Sequence, residues 1–132
     1  MTIFVDTSAL YAVLDADDSN HTSAKATWAR LLEHDEELIT TSYVLVEAFA
    51  LVQRRLGIDA VQVLHQDMAP VLKIEWVNAA QHALAMDRLL VAGNREISLV
   101  DWISFVTMRQ WQLTVAFAFD SDFASQGFEC LA

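Results

Sequence analysis

The chain has little that would cross-link or interrupt a fold. Its one cysteine, Cys130, excludes an internal disulfide and has no companion for a zinc knuckle, which fits a reducing compartment. One proline, Pro70, and three glycines, Gly57, Gly93 and Gly127, are the only strong breakers, and each stands at the edge of a periodic segment. Linkers, repeats and low-complexity tracts are therefore not expected. Lysine is confined to Lys25 and Lys73, so a basic nucleic-acid-binding face is excluded as the main feature. No apolar run approaches the ~20 residues of a spanning helix. The opening Met1-Thr2-Ile3-Phe4-Val5-Asp6 has no basic leader, and the expectation is a soluble, unexported, cytoplasmic protein.

Apolar residues, by contrast, make up 55% of the 132, with a mean hydropathy of +0.30. That length suits one domain over residues 1–132, and the apolar surplus suggests a subunit or partner interface. Eighteen acidic residues against eight basic ones give a net charge of −10. This is the wrong sign for holding nucleic acid by electrostatics alone, so any such contact must be local or helped by a bound cation. The acidity also suits a basic protein partner.

Periodicity predicts alternating strands and helices. Ile3-Phe4-Val5 reads as a buried strand, and a helix over 21–33 places Ala24, Trp28, Leu31 and Leu32 on one face. A strand through Leu38-Ile39-Thr40 follows. Next comes a helix capped by Ser42, running to Leu56 and closed by Gly57, apolar nearly all round and so predicted to be buried. A helix over 59–68, a strand through Leu72, Ile74 and Trp76, and a helix from Ala79 to Gly93 come after it. Ser98 then starts a helix through Trp102, Phe105 and Met108, a central strand spans 114–119, and a short strand spans 128–131. Strands separated by helices imply an α/β domain with a mostly parallel sheet of about five strands, covered on both faces.

Four acids interrupt this apolar pattern. Asp6 and Asp120 end strands, Glu47 breaks the run from Tyr43 to Ala50, and Asp101 breaks Leu99-Val100 and Trp102-Ile103. A buried carboxylate costs several kcal/mol unless paired, and the chain has too few bases to pair all four. A divalent cation resolves the conflict. The crevice of a parallel sheet lies beyond the carboxyl ends of its strands, where Asp6 and Asp120 fall, and Glu47 and Asp101 occupy early turns of helices that can begin beside that edge. Oxygen-only ligands select hard ions, so Mg²⁺ is expected, with Mn²⁺ as substitute, for hydrolysis of a phosphodiester. Three of the four also have an ordinary reading: Asp6 as a helix cap, Asp101 in a capping box with Ser98, Asp120 in a turn with Ser121-Asp122. Glu47, in mid-helix, has none.

These segments together resemble the PIN-domain family, in particular the VapC-type toxin ribonucleases of toxin–antitoxin pairs. The resemblance rests on Phe4-Val5-Asp6-Thr7-Ser8-Ala9-Leu10, Asp17-Asp18 with His21, Thr41 through Glu47, Ser98-Leu99-Val100-Asp101, and Phe119-Asp120-Ser121-Asp122-Phe123 before Gly127-Phe128. It implies a Rossmann-like sheet, a Mg²⁺ or Mn²⁺ site, endonucleolytic cleavage of RNA, a homodimer, and an antitoxin that covers the site. By position it makes Asp6, Glu47 and Asp101 the core acids, Asp120 the fourth, Asp122 a further metal contact, and Ser8 the small hydroxyl residue beside the first acid. The chain departs from the family pattern at Ala118, where a Thr or Ser is usual two residues before the last acid.

Among the remaining residues, His21 reads as a surface or capping histidine, and the four tryptophans, Trp28, Trp76, Trp102 and Trp111, read as core or interface packing rather than base stacking. Arg54, Arg55, Arg88, Arg95 and Arg109 read mainly as solvated helix-face residues that can also touch phosphate. The competing reading is a catalytically silent PIN-like module that acts only by binding protein, for which Ala118, the acidity and the apolar surplus all speak. A phosphatase or receiver domain is disfavoured: Ser8 stands where the former needs a second aspartate, and the latter needs a late lysine that is missing.

Overall fold

A computed structural model describes residues 1–131. Five strands, β1 (Thr2–Val5), β2 (Glu37–Thr41), β3 (Leu72–Glu75), β4 (Val115–Phe117) and β5 (Glu129–Leu131), form one sheet in the order β3-β2-β1-β4-β5, all parallel. The chain steps outward from β1 through β2 to β3, then returns to the other side of β1 as β4 and β5. The strand order therefore reverses between β1 and β4, which puts the crevice of this sheet at the carboxyl ends of those two strands.

Helices α1 (Thr7–Leu14) and α2 (His21–Glu33) connect β1 to β2. Between β2 and β3 lie α3 (Ser42–Leu56) and α4 (Ile58–Val63), the latter running on into a π turn over Leu64–Met68. Helices α5 (Ala79–Ala92) and α6 (Leu99–Gln110) pack on each other before β4, and a five-residue α7 (Ser121–Ser125) precedes β5. Gly57 ends α3 at φ 93°, a conformation open to it because it has no Cβ.

An aromatic cluster fixes α6 and α7 to the middle of the sheet. The Phe105 ring meets Phe123 edge-on at 5.0 Å, Trp102 edge-on at 5.5 Å and Phe128 stacked at 6.0 Å, while Phe123 reaches Phe4 of β1 at 6.1 Å. Phe4, Phe105, Phe117 and Phe123 are all fully buried.

Several local expectations need correction. Thr41, not Ser42, caps α3, its hydroxyl accepting from the Val44 amide; Ser42 lies within the helix and accepts from the Val77 amide instead. Helix α3 is not buried all round: Val44, Ala48 and Val52 face the core while Val46 is 66% exposed, because the sheet covers only one side. The strand predicted over 114–119 is ordered as a ladder only over Val115–Phe117. Strand β3 ends at Glu75, one residue short of Trp76, which is 69% exposed and so is not a core residue. Periodicity gives no sign of α7, and of α1 only the capping reading of Asp6 gives a sign.

Phe123 joins α7, and with it the residues at that helix's start, to the sheet. Phe123→Ala is expected to destabilise the fold by about 3–5 kcal/mol, the usual cost of a large buried aromatic. Phe119→Ala, at a half-buried position, costs less. Urea unfolding of the two variants beside the parent measures both, and equal midpoints would show that the cluster does not carry α7.

Candidate active site

Three of the candidate acids, Asp6, Asp101 and Asp120, are fixed by the start of a helix. Asp6 directly follows β1; its amide donates to the Phe117 carbonyl of β4 at 3.0 Å, and its side chain caps α1 by accepting from the Ser8 amide at 3.1 Å and the Ser8 hydroxyl at 2.6 Å. The same hydroxyl accepts from the Phe119 amide at 3.0 Å, so Ser8 ties Asp6 to the chain leaving β4. Asp101 completes a capping box with Ser98 at the start of α6, accepting from the Ser98 amide at 3.2 Å and hydroxyl at 3.1 Å. Asp120 caps α7, accepting from the Asp122 amide at 2.9 Å. The ordinary capping readings of Asp6 and Asp101 are thus correct, and they do not compete with a metal reading. Capping is what aims these carboxylates at a common edge.

Carboxylate oxygens of Asp101, Asp120 and Asp122 lie within 4.8 Å of one another, each residue half-buried. Asp6, only 3% exposed, is not one of that group. Burial pushes its carboxyl up to about 7; Ser8's hydroxyl and amide pull it back, and repulsion from Asp101 and then Glu47 adds to the rise. Asp101 is pushed up to about 6, first by burial, with the Ser98 amide opposing and with Asp120 and Glu47 contributing repulsion. Asp122 is raised by burial and then by the charge and hydrogen bond of Asp120, with a further push from Glu96. Glu47, half-buried on α3, therefore bears electrostatically on both Asp6 and Asp101. Asp6 and Glu47 are not among the three acids whose oxygens gather, but repulsion links each of them to Asp101.

Among the described residues no ion pair offsets that repulsion; the only one joins the Met1 amino group to Glu36. A set of hard oxygen donors, closely spaced, partly desolvated and without a basic partner, fits a divalent cation, and Asp101, Asp120 and Asp122 are the residues placed to share one.

Two members were not anticipated. Glu96, in the turn between α5 and α6, acts on Asp122, but an exposed acid in a polar loop carries no sequence signal. Cys130, on β5 beside Ala116, has its thiol pushed up by burial and then by the charges of Asp6 and Asp120. Ala118 is buried and contributes no oxygen. His21 stays apart: its Nδ1 is 2.8 Å from the Ala12 carbonyl, near the far end of α1, on the order of 9 Å along the helix from Asp6 at 1.5 Å per residue. Of the arginines, Arg109 is committed to the carbonyl and side chain of Gln126 and to the Phe128 ring, Arg55 lies over the Tyr11 ring, and Arg95 is exposed next to Glu96.

The profile of the PIN domain family matches residues 3–129. The chain belongs to the PIN domain family. This PIN domain is 37% identical over 127 residues to the 23S rRNA-specific endonuclease VapC20 of Mycobacterium tuberculosis, covering 96% of this chain and 95% of that one. The crystal structure of VapC20, described there as a sarcin–ricin loop cleaving toxin, superposes with a TM-score of 0.83 at 35% identity, again over 96% and 95% of the two chains. FitAcB from Neisseria gonorrhoeae shares the fold, with a TM-score of 0.70 at 19% identity over 100% of this chain and 97% of that one.

A carboxyl raised in the folded state keeps its proton where the unfolded chain has lost it. The folded PIN domain then binds more protons than the unfolded one between about pH 4 and pH 7, and this contribution to stability is present at low pH and lost as pH rises through the raised values. Asp6→Asn retains the cap, since asparagine accepts the same amide, and removes the charge. Without divalent cations, the thermal midpoint of the parent is expected to fall relative to Asp6→Asn from pH 5 to pH 8. Parallel profiles would show that Asp6 titrates normally.

Proposed function

We propose that residues 1–132 form a single PIN domain that hydrolyses RNA phosphodiester bonds with Mg²⁺, or Mn²⁺ in its place, as the toxin of a toxin–antitoxin pair. The observation that carries this reading is the gathering of Asp101, Asp120 and Asp122 within 4.8 Å at the edge where Asp6 and Glu47 also bear. The likeness to VapC20 over nearly the whole of both chains supports large-subunit ribosomal RNA, at its sarcin–ricin loop, as the substrate.

A bound divalent cation would neutralise charge on the scissile phosphodiester and acidify a water. The chain's own residues do the rest. Asp101, Asp120 and Asp122 would supply the oxygens that hold such an ion, and the capping hydrogen bonds from Ser98 and from the Asp122 amide hold two of those carboxylates in place. Asp6, with its high affinity for a proton, is the group best suited to keep or pass one near neutral pH, and Ser8 fixes its orientation. Glu47 adds negative charge that favours the cation's presence. Arg95, exposed beside Glu96, is the nearby cation suited to an RNA phosphate.

The partner proposals rest on surface composition. Leu90 and Val91, 71% and 87% exposed at the end of α5, offer apolar area next to the turn bearing Glu96, a suitable place for an antitoxin with basic residues to cover the acids. Exposed Ile58 and Val63 on α4, with Val71 after it, support a second apolar patch for a homodimer. Among the described residues no helix is long and apolar enough to cross a membrane.

The silent-module reading keeps one observation in its favour, the buried Ala118 that provides no hydroxyl at the site. Cleavage of a sarcin–ricin loop RNA with Mn²⁺ separates the two. Asp101→Asn is expected to lower the cleavage rate by about 100-fold or more while leaving the thermal midpoint equal or higher, since one of the repelling charges is gone. No cleavage by the parent of either that loop or intact ribosomes, together with partner binding that survives Asp101→Asn, would favour the silent module.

A further inference from the structure

Trp76 is the feature that neither packing nor the acid cluster absorbs. Trp28 and Trp102 are buried and Trp111 is covered in part by Lys73, whose Nζ sits 4.8 Å from the ring centroid, but Trp76 is 69% exposed. Its backbone is nevertheless held on both sides. Glu75 closes β3 against Thr41, with its carboxylate accepting from the Gln81 amide group at 3.3 Å; the Val77 amide donates to Ser42 at 3.0 Å; and Asn78 forms a capping box with Gln81. A large aromatic on a firmly held backbone, left in water, has a use outside the monomer's core.

The sheet register places it. Phe4 is level with Ile39, and Ile39 with Lys73, so the row one residue past β1 runs from Asp6 through Thr41 to Glu75. Trp76 follows Glu75 directly, on the same carboxyl edge as Asp6 and two strands away. At about 4.8 Å per strand that is on the order of 10 Å between backbones, close to the length of three stacked nucleotides at about 3.4 Å each. Ala79 and Ala80, both exposed, leave the first turn of α5, which begins three residues after Trp76, uncovered.

We propose that Trp76 is a positioning residue for RNA, stacking on an unpaired base a few nucleotides from the phosphate held at the acids. This rests on the ribonuclease reading and names what that site recognises: a single-stranded or looped segment with a base free to stack, as opposed to a continuous duplex. In a chain of net charge −10, stacking supplies affinity that phosphate contacts cannot.

Two measurements on one RNA, a sarcin–ricin loop hairpin, test it. In steady-state cleavage with Mn²⁺, Trp76→Ala is expected to raise KM about 10-fold, within the range of a lost base stack, with kcat changed less than about two-fold, and Trp76→Phe to recover most of the loss. In metal-free buffer containing chelator, the hairpin is expected to quench the fluorescence of the parent, and to quench Trp76→Phe far less. An unchanged KM in Trp76→Ala, or quenching that persists in Trp76→Phe, overturns the stacking role while leaving the ribonuclease reading intact. Quenching that depends on Trp76 with no cleavage by the parent overturns the ribonuclease reading and keeps the stacking. If Trp76→Ala leaves KM alone and instead weakens self-association or antitoxin binding, the indole belongs to a protein interface and the proposal fails.

Discussion

Repulsion among carboxylates that the fold does not neutralise is the constraint on which the rest of this structure depends. Asp101, Asp120 and Asp122 gather at the carboxyl edge of the sheet, Asp6 and Glu47 repel Asp101 or are repelled by it, Glu96 acts on Asp122, and among the described residues no basic side chain forms an ion pair with any of them. Helix N-termini favour negative charge, and Asp6 and Asp120 each cap one, yet Asp6 is pushed up to about 7. Burial and like charge therefore outweigh the caps and dipoles. A site in that condition is less stable alone than when it holds a cation, and stability given up locally has to be supplied elsewhere.

The supply is aromatic. Phe4, Phe105, Phe123 and Phe128 interlock directly beneath the edge on which the acids sit, joining β1, α6, α7 and the entry to β5. The three elements that carry Asp6, Asp101 and Asp120 thus share one block of packing, and the carboxylates cannot relax apart without opening it. Ser8 works to the same end at close range, since one hydroxyl both donates to Asp6 and accepts from the Phe119 amide. Backbone geometry at the switch point and packing under it are two parts of one restraint.

How much of this was legible in the sequence depended on contrast. Helix α2 alternates apolar and polar residues at helical spacing, and its predicted bounds, 21–33, match the structure. Helix α1, Thr-Ser-Ala-Leu-Tyr-Ala-Val-Leu, has no polar face to contrast with and left no amphipathic signal, and α7 is too short to give one. Asp6, Glu47, Asp101 and Asp120 stood out because each interrupts an apolar run; Glu96, an acid among exposed neighbours, did not. Trp76 misled for the opposite reason. Alternation through Leu72, Ile74 and Trp76 argued for an inward side chain, but the ladder stops at Glu75 and the period stops with it. The caps that Asp6, Asp101 and Asp120 form are compatible with the metal reading, because a cap is the means by which a helix start orients an acid.

The same acidity constrains recognition. Proteins that bind RNA chiefly through phosphates release counterions in proportion to the contacts they make, with a salt slope of about −0.7 per contact for single strands. A chain with eight basic residues, of which Arg109 is tied to Gln126 and Phe128, has few to offer. Non-specific RNA is repelled by a net charge of −10, so a substrate must overcome that through contacts other RNAs do not make: one phosphate bridged to the acid cluster by a divalent cation, and contacts to bases that a regular helix hides. Acidity in this fold is then a filter. It lowers affinity for every RNA alike and leaves selectivity to the few places, at the carboxyl edge of the sheet, where shape and stacking can restore it.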